Sequence, residues 1–178
     1  MKRGVRFVSS FEGGFLEPMQ RQIVELLPRL RRLARVLARN PADADDLVQL
    51  TVERGLARQG QWVAGTRLDS WMFRIMKNAW IDESRARTRR SAVFAPEEAG
   101  EHVGHDGAGA MQARLEAADV DRAMAKLPDE QRLAVALVLV EGLSYKEAAQ
   151  VLEVPEGTLT SRLVRGRAAL LGHLQEVA

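Results

Sequence analysis

Ser144-Tyr145-Lys146-Glu147-Ala148-Ala149, leading through Val154-Pro155-Glu156-Gly157 into Thr158-Leu159-Thr160-Ser161-Arg162-Leu163-Val164-Arg165-Gly166-Arg167, is the stretch that decides the fold. It reads as two short helices joined by a tight turn. Ser144 can cap the first helix while Glu147, three residues on, reaches back to the cap nitrogen, a capping box; Ala148 and Leu152 then share the buried side. After the turn, Leu159, Leu163, Leu170 and Leu174 keep helical spacing, whereas Thr158, Ser161, Arg162 and Arg165 fall along another face. One face packs and the other is free to enter a groove. That is the layout of a helix-turn-helix, whose second helix sends its N-terminal side chains to base edges in the major groove. Taken alone, the basic stripe would equally suit a solvated surface.

A second basic element tips the balance. Thr66-Arg67-Leu68-Asp69 reads as another capping box, opening a helix through Trp71, Met72, Arg74, Ile75, Lys77, Asn78 and Trp80 into Arg85-Ala86-Arg87-Thr88-Arg89-Arg90. On a helical wheel Trp71, Arg74, Asn78 and Arg85 form a stripe beside the apolar stripe Leu68, Met72, Ile75 and Ala79, while Trp80 faces elsewhere and packs. The formal charge of the 178 residues is only +2. That figure hides two basic stretches separated by an acidic span running from Glu97 to Glu130. Such a distribution suits two separate contacts with a polyanion.

There is no cysteine, which excludes disulfides and thiolate metal sites and fits a reducing, cytoplasmic setting. His102 and His105 lie three apart in an acidic loop, with no cysteine in the chain and with Glu101 and Asp106 beside them of the kind common in such loops, and no carboxylate pair accompanies a nucleophile, metal set or phosphate loop. Neither a metal site, a cofactor nor an enzyme activity is expected. No apolar run approaches membrane-spanning length, and the start of the chain lacks the apolar stretch of a secretory signal.

The expected fold is all-α, two small helical domains joined by a flexible linker. Residues 1–18 form a loose arm. Residues 19–90 hold three helices around Leu30, Leu33, Leu47, Leu68, Met72, Ile75 and Ala79, with Pro28 marking a kink or late start and Asn40-Pro41 capping the second helix. Residues 91–112, rich in Gly, Ala and Glu, make an acidic linker. Residues 113–178 form about four helices, with a break at Pro128, a C-terminal cap at Gly142 and the helix-turn-helix last.

These residues, in this order, resemble the extracytoplasmic-function sigma factors, the two-domain branch of bacterial sigma factors. The resemblance spans Met19 to Leu174: Leu30-Arg31-Arg32-Leu33-Ala34, Asp43-Ala44-Asp45-Asp46-Leu47-Val48-Gln49, Trp71-Met72-Phe73-Arg74-Ile75-Met76-Lys77-Asn78 with Ile81-Asp82, then Leu127-Pro128, Gly157-Thr158 and Ser161-Arg162. Each motif is weak alone; the ordered set is specific.

The resemblance implies a transcription initiation factor that directs core RNA polymerase to promoter DNA in a stress or envelope response, restrained by an anti-sigma factor. It implies that Asp45, Asp46, Leu47, Val48 and Gln49 dock on the polymerase, and that Thr66, Arg67, Leu68, Asp69, Trp71, Arg74, Lys77, Asn78 and Arg85 open and read the minus-ten element. Thr158, Thr160, Ser161, Arg162, Arg165 and Arg167 would read the minus-thirty-five element. Leu50 departs from the Glu usual there in the family, and Thr160 from a basic residue. Capturing an opened base forfeits stacking of about 1.4 kcal/mol per step, so the site must supply stacking faces, polar groups and cations together. The resemblance also suggests that the acidic linker, with Glu97, Glu98 and Glu101, threads the cationic channel of the polymerase as a nucleic-acid mimic. The alternative is a stand-alone helix-turn-helix repressor or activator. That class needs a dimerisation element, and none is evident, so a free monomer is expected.

Overall fold

The computed structural model describes residues 18–38, 40–91 and 118–175, and all its regular elements there are helical. The expected N-terminal arm, apart from Pro18, and the expected acidic linker, apart from Ser91, lie outside the described residues. Helix α1 spans Pro18–Leu37 and runs through Pro28. Helix α2 spans Pro41–Ala57: Asn40 Oδ1 accepts from the Asp43 amide at 2.8 Å, and Pro41 occupies the first turn, where its missing N–H is not needed. A short 3-10 turn, Gln59–Gln61, leads to α3, Leu68–Ser91. Beyond the linker come α4 (118–126), α5 (Asp129–Val135), α6 (Tyr145–Leu152) and α7 (Glu156–Gln175).

The apolar stripes explain the packing. Leu30, Leu33, Leu47, Leu68, Met72, Ile75 and Ala79 are all buried where α1, α2 and α3 meet. In the second part Leu127, Leu133, Leu137, Ala148, Leu152, Leu159 and Leu163 are buried between α5, α6 and α7. Gly166 is buried because α7 comes so close to α5 that a Cβ there would meet Val135 Cγ2 at 2.8 Å. The capping box at Ser144 is complete, its hydroxyl accepting from the Glu147 amide and the Glu147 carboxylate accepting from the Ser144 amide.

Three local features differ from the sequence reading. Thr66 does not cap α3. Its hydroxyl donates to Val63 O at 2.7 Å, and Arg67 O accepts the Trp71 amide, so the helix starts one residue later than the expected box. Arg67 holds that start because its guanidinium clasps Asp69 in the first turn. The helix from Asp129 widens into a π turn over Ala136–Val140, with the Glu141 amide bonding Ala136 O at 2.9 Å, before Gly142 ends it at φ +69°. Finally, Glu153 closes α6 in the left-handed region at φ 59°, where glycine is the usual occupant.

The two helical parts are packed on one another. Helix α3 lies along α6, α1 along the π turn and α5, and the buried residues of both parts join in one apolar cluster. The separate cationic faces of the sequence reading are therefore not equally open.

Candidate nucleic-acid and polymerase interface

The first expected contact surface lies at the start of α2. Asp45, Asp46 and Gln49 are exposed, while Leu47 and Val48 turn into the core and fix the orientation of the other three. Asp43, Asp46, Leu47 and Leu50 line one side of a cavity of about 320 Å³ whose other walls come from the end of α1, α3 and α5, Trp80 and Arg132 among them. Carboxylates at the positive end of a helix are stabilised there, and two exposed ones on successive residues can offer charge-assisted hydrogen bonds to a basic partner helix.

The second surface is α3 and the turn before it, and its cations are engaged internally. Asp69 is 9% exposed and sits between Arg29 Nη1 at 2.7 Å and Arg67 Nη2 at 2.5 Å. Burial pushes its carboxyl up, but the hydrogen bonds from Arg67, Arg29 and the Ser70 amide outweigh burial and hold it well below the usual carboxylate range. The Asp69 partnership also keeps the Arg67 guanidinium protonated beyond its already high ordinary value. Arg67 Nη1 pairs as well with Glu147 of α6. Lys77, 6% exposed, places Nζ 2.6 Å from Glu153 Oε2, and this bond holds the Glu153 carboxyl below its ordinary value. Arg74 Nη2 reaches Gln150 O at 3.5 Å, and its Nε is buried without a hydrogen-bond partner. Leu68 is core, Trp71 is half-buried against it, and Thr66, Asn78 and Arg85 are exposed.

The third surface is α7. Thr160, Ser161, Arg165 and Arg167 are exposed and Thr158 partly so, whereas Leu159 and Leu163 are buried. The Thr160 and Ser161 hydroxyls donate to the carbonyls of Glu156 and Gly157, each at 2.9 Å, and Arg165 Nε donates to Ser161 O at 3.2 Å. These bonds lie along the exposed side of the helix. Arg162 is different: 18% exposed, it pairs with Glu130 of α5 at 2.8 Å. A bidentate contact from Arg162 to a guanine would require it first to leave that carboxylate.

Sequence reasoning missed the residues that join the two parts. The wider π turn directs Glu141, whose side chain is fully buried, toward α1. It accepts from Arg29 Nε at 3.0 Å, Arg32 Nε at 2.9 Å and Arg32 Nη2 at 3.0 Å, and its carbonyl accepts from Arg29 Nη2 at 3.2 Å. Arg132, 7% exposed, donates to Met124 O, Ala125 O and Leu127 O at the end of α4 and to Leu37 O at the end of α1, with its guanidinium 5.8 Å from the Trp80 ring. The available signal was Glu141, Glu147 and Glu153 recurring every sixth residue. That spacing marks no single face of a helix, so it carries no local signal.

Comparison with known proteins places this geometry. The domain described as Sigma2 domain of PhyR matches residues 23–77, and the one described as Sigma-70, region 4 matches residues 117–170. The ECF RNA polymerase sigma factor EcfG of Rhodopseudomonas palustris is 34% identical over 154 residues, 86% of this chain and 83% of that protein. The ECF RNA polymerase sigma factor SigM of Mycobacterium tuberculosis is 39% identical over 153 residues, 82% of this chain and 73% of its own length. Among solved structures, the sigma factor RpoE of Bartonella quintana, in complex with the anti-sigma factor NepR, superposes with a TM-score of 0.76 at 29% identity, covering 90% of this chain and 98% of that one. With helix order, recognition helix and sequence in agreement, the chain belongs to the extracytoplasmic-function sigma factors of bacterial RNA polymerase.

Proposed function

We propose that the chain selects promoters for RNA polymerase as a two-point reader. The exposed carboxylates of Asp45 and Asp46, with Gln49, dock on the core enzyme. The α3 face, with Thr66, Arg67, Trp71, Arg74, Lys77, Asn78 and Arg85, captures the opened minus-ten element, and Leu68 and Asp69 shape that face from within. Helix α7 reads the minus-thirty-five element through Thr158, Thr160, Ser161, Arg162, Arg165 and Arg167. The observation that carries the reading is the exposed polar and cationic side of α7, presented by a helix-turn-helix whose first helix opens on a complete capping box, in a chain whose relatives are named as polymerase sigma factors. That naming favours a polymerase subunit over a free-standing repressor.

An anti-sigma partner belongs to the same proposal, supported by the RpoE–NepR complex. So does action in the cytoplasm; no helix among the described residues is long and apolar enough to cross a membrane.

Reconstitution tests it. The purified chain is mixed with bacterial core polymerase on genomic DNA, and transcription starts are mapped. Starts that share two spaced upstream elements are expected. Arg165→Ala should relax preference at the upstream element by about 1 to 3 kcal/mol of base discrimination, while Asp46→Ala should weaken binding to core and leave that preference intact. Unselective starts, or both variants failing at the same step, would refute it.

A further inference from the structure

We infer that the cavity walled by the end of α1, the start of α2, α3 and α5 is a binding site for a small aliphatic amine. Its volume of about 320 Å³ lies at the small end of ligand pockets, which run from roughly 300 to 1,000 Å³, and so suits a compact molecule. Part of the wall is apolar. Leu37, Leu47 and Trp80 present buried side chains there and Leu50 a partly buried one, a surface on which a methylene chain can lie.

The rest of the wall is charged, and its carboxylates outnumber its cations: Asp43, Asp46, Glu83 and Asp129 stand against Arg87 and Arg132. Both guanidiniums are already committed. Arg87 pairs with Asp43 at 3.0 Å and reaches Glu83 at 3.8 Å. Arg132 donates to the carbonyls of Met124, Ala125, Leu127 and Leu37, and its Nη2 stands 4.0 Å from Asp129 Oδ1. Asp129 also accepts from the Ser84 hydroxyl at 3.1 Å, and Asp46 makes no ion pair among the described residues. The cavity therefore keeps a negative excess beside an apolar surface. Charge complementarity selects the occupant. An ammonium group gains charge-assisted hydrogen bonds from Asp46 and Asp129, while the carbon chain that carries it covers the leucines and Trp80. The Trp80 ring favours a cation as well, and the Arg132 guanidinium already stands 5.8 Å from its centroid. Asp46 also belongs to the surface proposed above for core polymerase, so an amine seated there competes with that docking. This consequence alone rests on the proposed function, and the test separates the two.

Heteronuclear NMR of the nitrogen-labelled full-length protein gives an indole N–H signal for each of its 3 tryptophans. Trp80 lines the cavity, whereas Trp62 and Trp71 do not and serve as controls for site and for folding; Trp80→Phe identifies the signal. Hexamethylenediamine is the probe. Hexanediol is its uncharged match, and magnesium chloride supplies charge without an apolar body.

The diamine should move the Trp80 signal saturably and leave the other two in place, while hexanediol and magnesium do neither. Asp46→Asn and Asp129→Asn should each weaken binding by about tenfold, as for loss of one charge-assisted hydrogen bond. Ala38→Leu narrows the cavity without removing a charge and should weaken binding too. A Trp80 signal that ignores the diamine, that follows the diol or magnesium equally, or that responds alike in wild type and these variants would overturn the site. So would a signal that moves with protein concentration alone, the mark of a second copy in the cavity. Saturating diamine, but not the diol, should also lower the affinity of the chain for core polymerase. Specific binding at Trp80 with core affinity unchanged would instead overturn Asp46 as a polymerase contact.

Discussion

Gly166 is where α7 presses on α5, and replacing it with alanine tests whether that approach fixes the recognition helix. A Cβ there would lie 2.8 Å from Val135 Cγ2, 3.2 Å from Gln131 Cβ and 3.2 Å from Gln131 O. Val135 is 1% exposed and the Gln131 carbonyl is part of the α5 backbone, so relief requires a shift of one helix against the other. Overpacking of this kind costs about 1 to 3 kcal/mol, whereas replacing glycine by alanine inside a helix returns about 1 kcal/mol. The expected net loss for Gly166→Ala is about 1 kcal/mol. Gly172 is the internal control: it lies on the same helix, and a Cβ there meets nothing within 4 Å. Gly172→Ala should therefore gain up to about 1 kcal/mol, less for fraying near the helix end. Urea unfolding followed by far-ultraviolet circular dichroism measures both. A Gly166→Ala protein as stable as Gly172→Ala would show that the close approach carries no energetic weight, and the reasoning would fail.

Other perturbations follow from the same contacts. Arg132→Met should destabilise the fold by about 2 to 4 kcal/mol in the same urea assay, because it strands carbonyls at the ends of α4 and α1 that the guanidinium now satisfies. Ser144→Ala removes the hydroxyl of the capping box and should lower stability by about 1 kcal/mol, with the loss of amide protection concentrated in the first turn of α6 under hydrogen exchange. Asp69 and Glu153 hold lowered affinities for protons in the folded state. The stability they contribute is fully present above the unfolded carboxylate values of about 4 and is lost as pH falls through the lower folded ones. Melting temperature should accordingly be insensitive to these groups above about pH 5 and drop on further acidification, with part of that acid limb missing in Asp69→Asn; a melting temperature that rises on acidification would contradict the assignment.

The local grammar of the chain was legible without coordinates wherever one short segment carries its own physical reason. Asn40-Pro41, Ser144 with Glu147, and Gly142 announced their helix ends because capping groups and backbone freedom act within a few residues. The apolar stripes through Leu30 and Leu33, Met72 and Ile75, and Leu159 and Leu163 announced the buried faces because helical spacing fixes direction. The all-helical class followed from them, while the family came from the resemblance of the ordered motifs between Met19 and Leu174. Thr66 misled because a Thr and an Asp at capping-box spacing do not reveal that an arginine between them will claim the carboxylate.

What only the tertiary structure decided is which charges are available. Arg67, Arg74 and Lys77 read as an open cationic face, yet Glu147, the Gln150 carbonyl and Glu153 cover them from a distant part of the chain. A helical wheel gives the side of a helix on which a residue stands. It does not say what packs there, because an ion pair between residues 29 and 141 depends on how two bundles meet, and no local propensity encodes that meeting. The π turn that aims Glu141 and the left-handed Glu153 are likewise invisible to periodicity: both depart from the regular spacing that makes a sequence readable, and both are held by partners supplied by the fold.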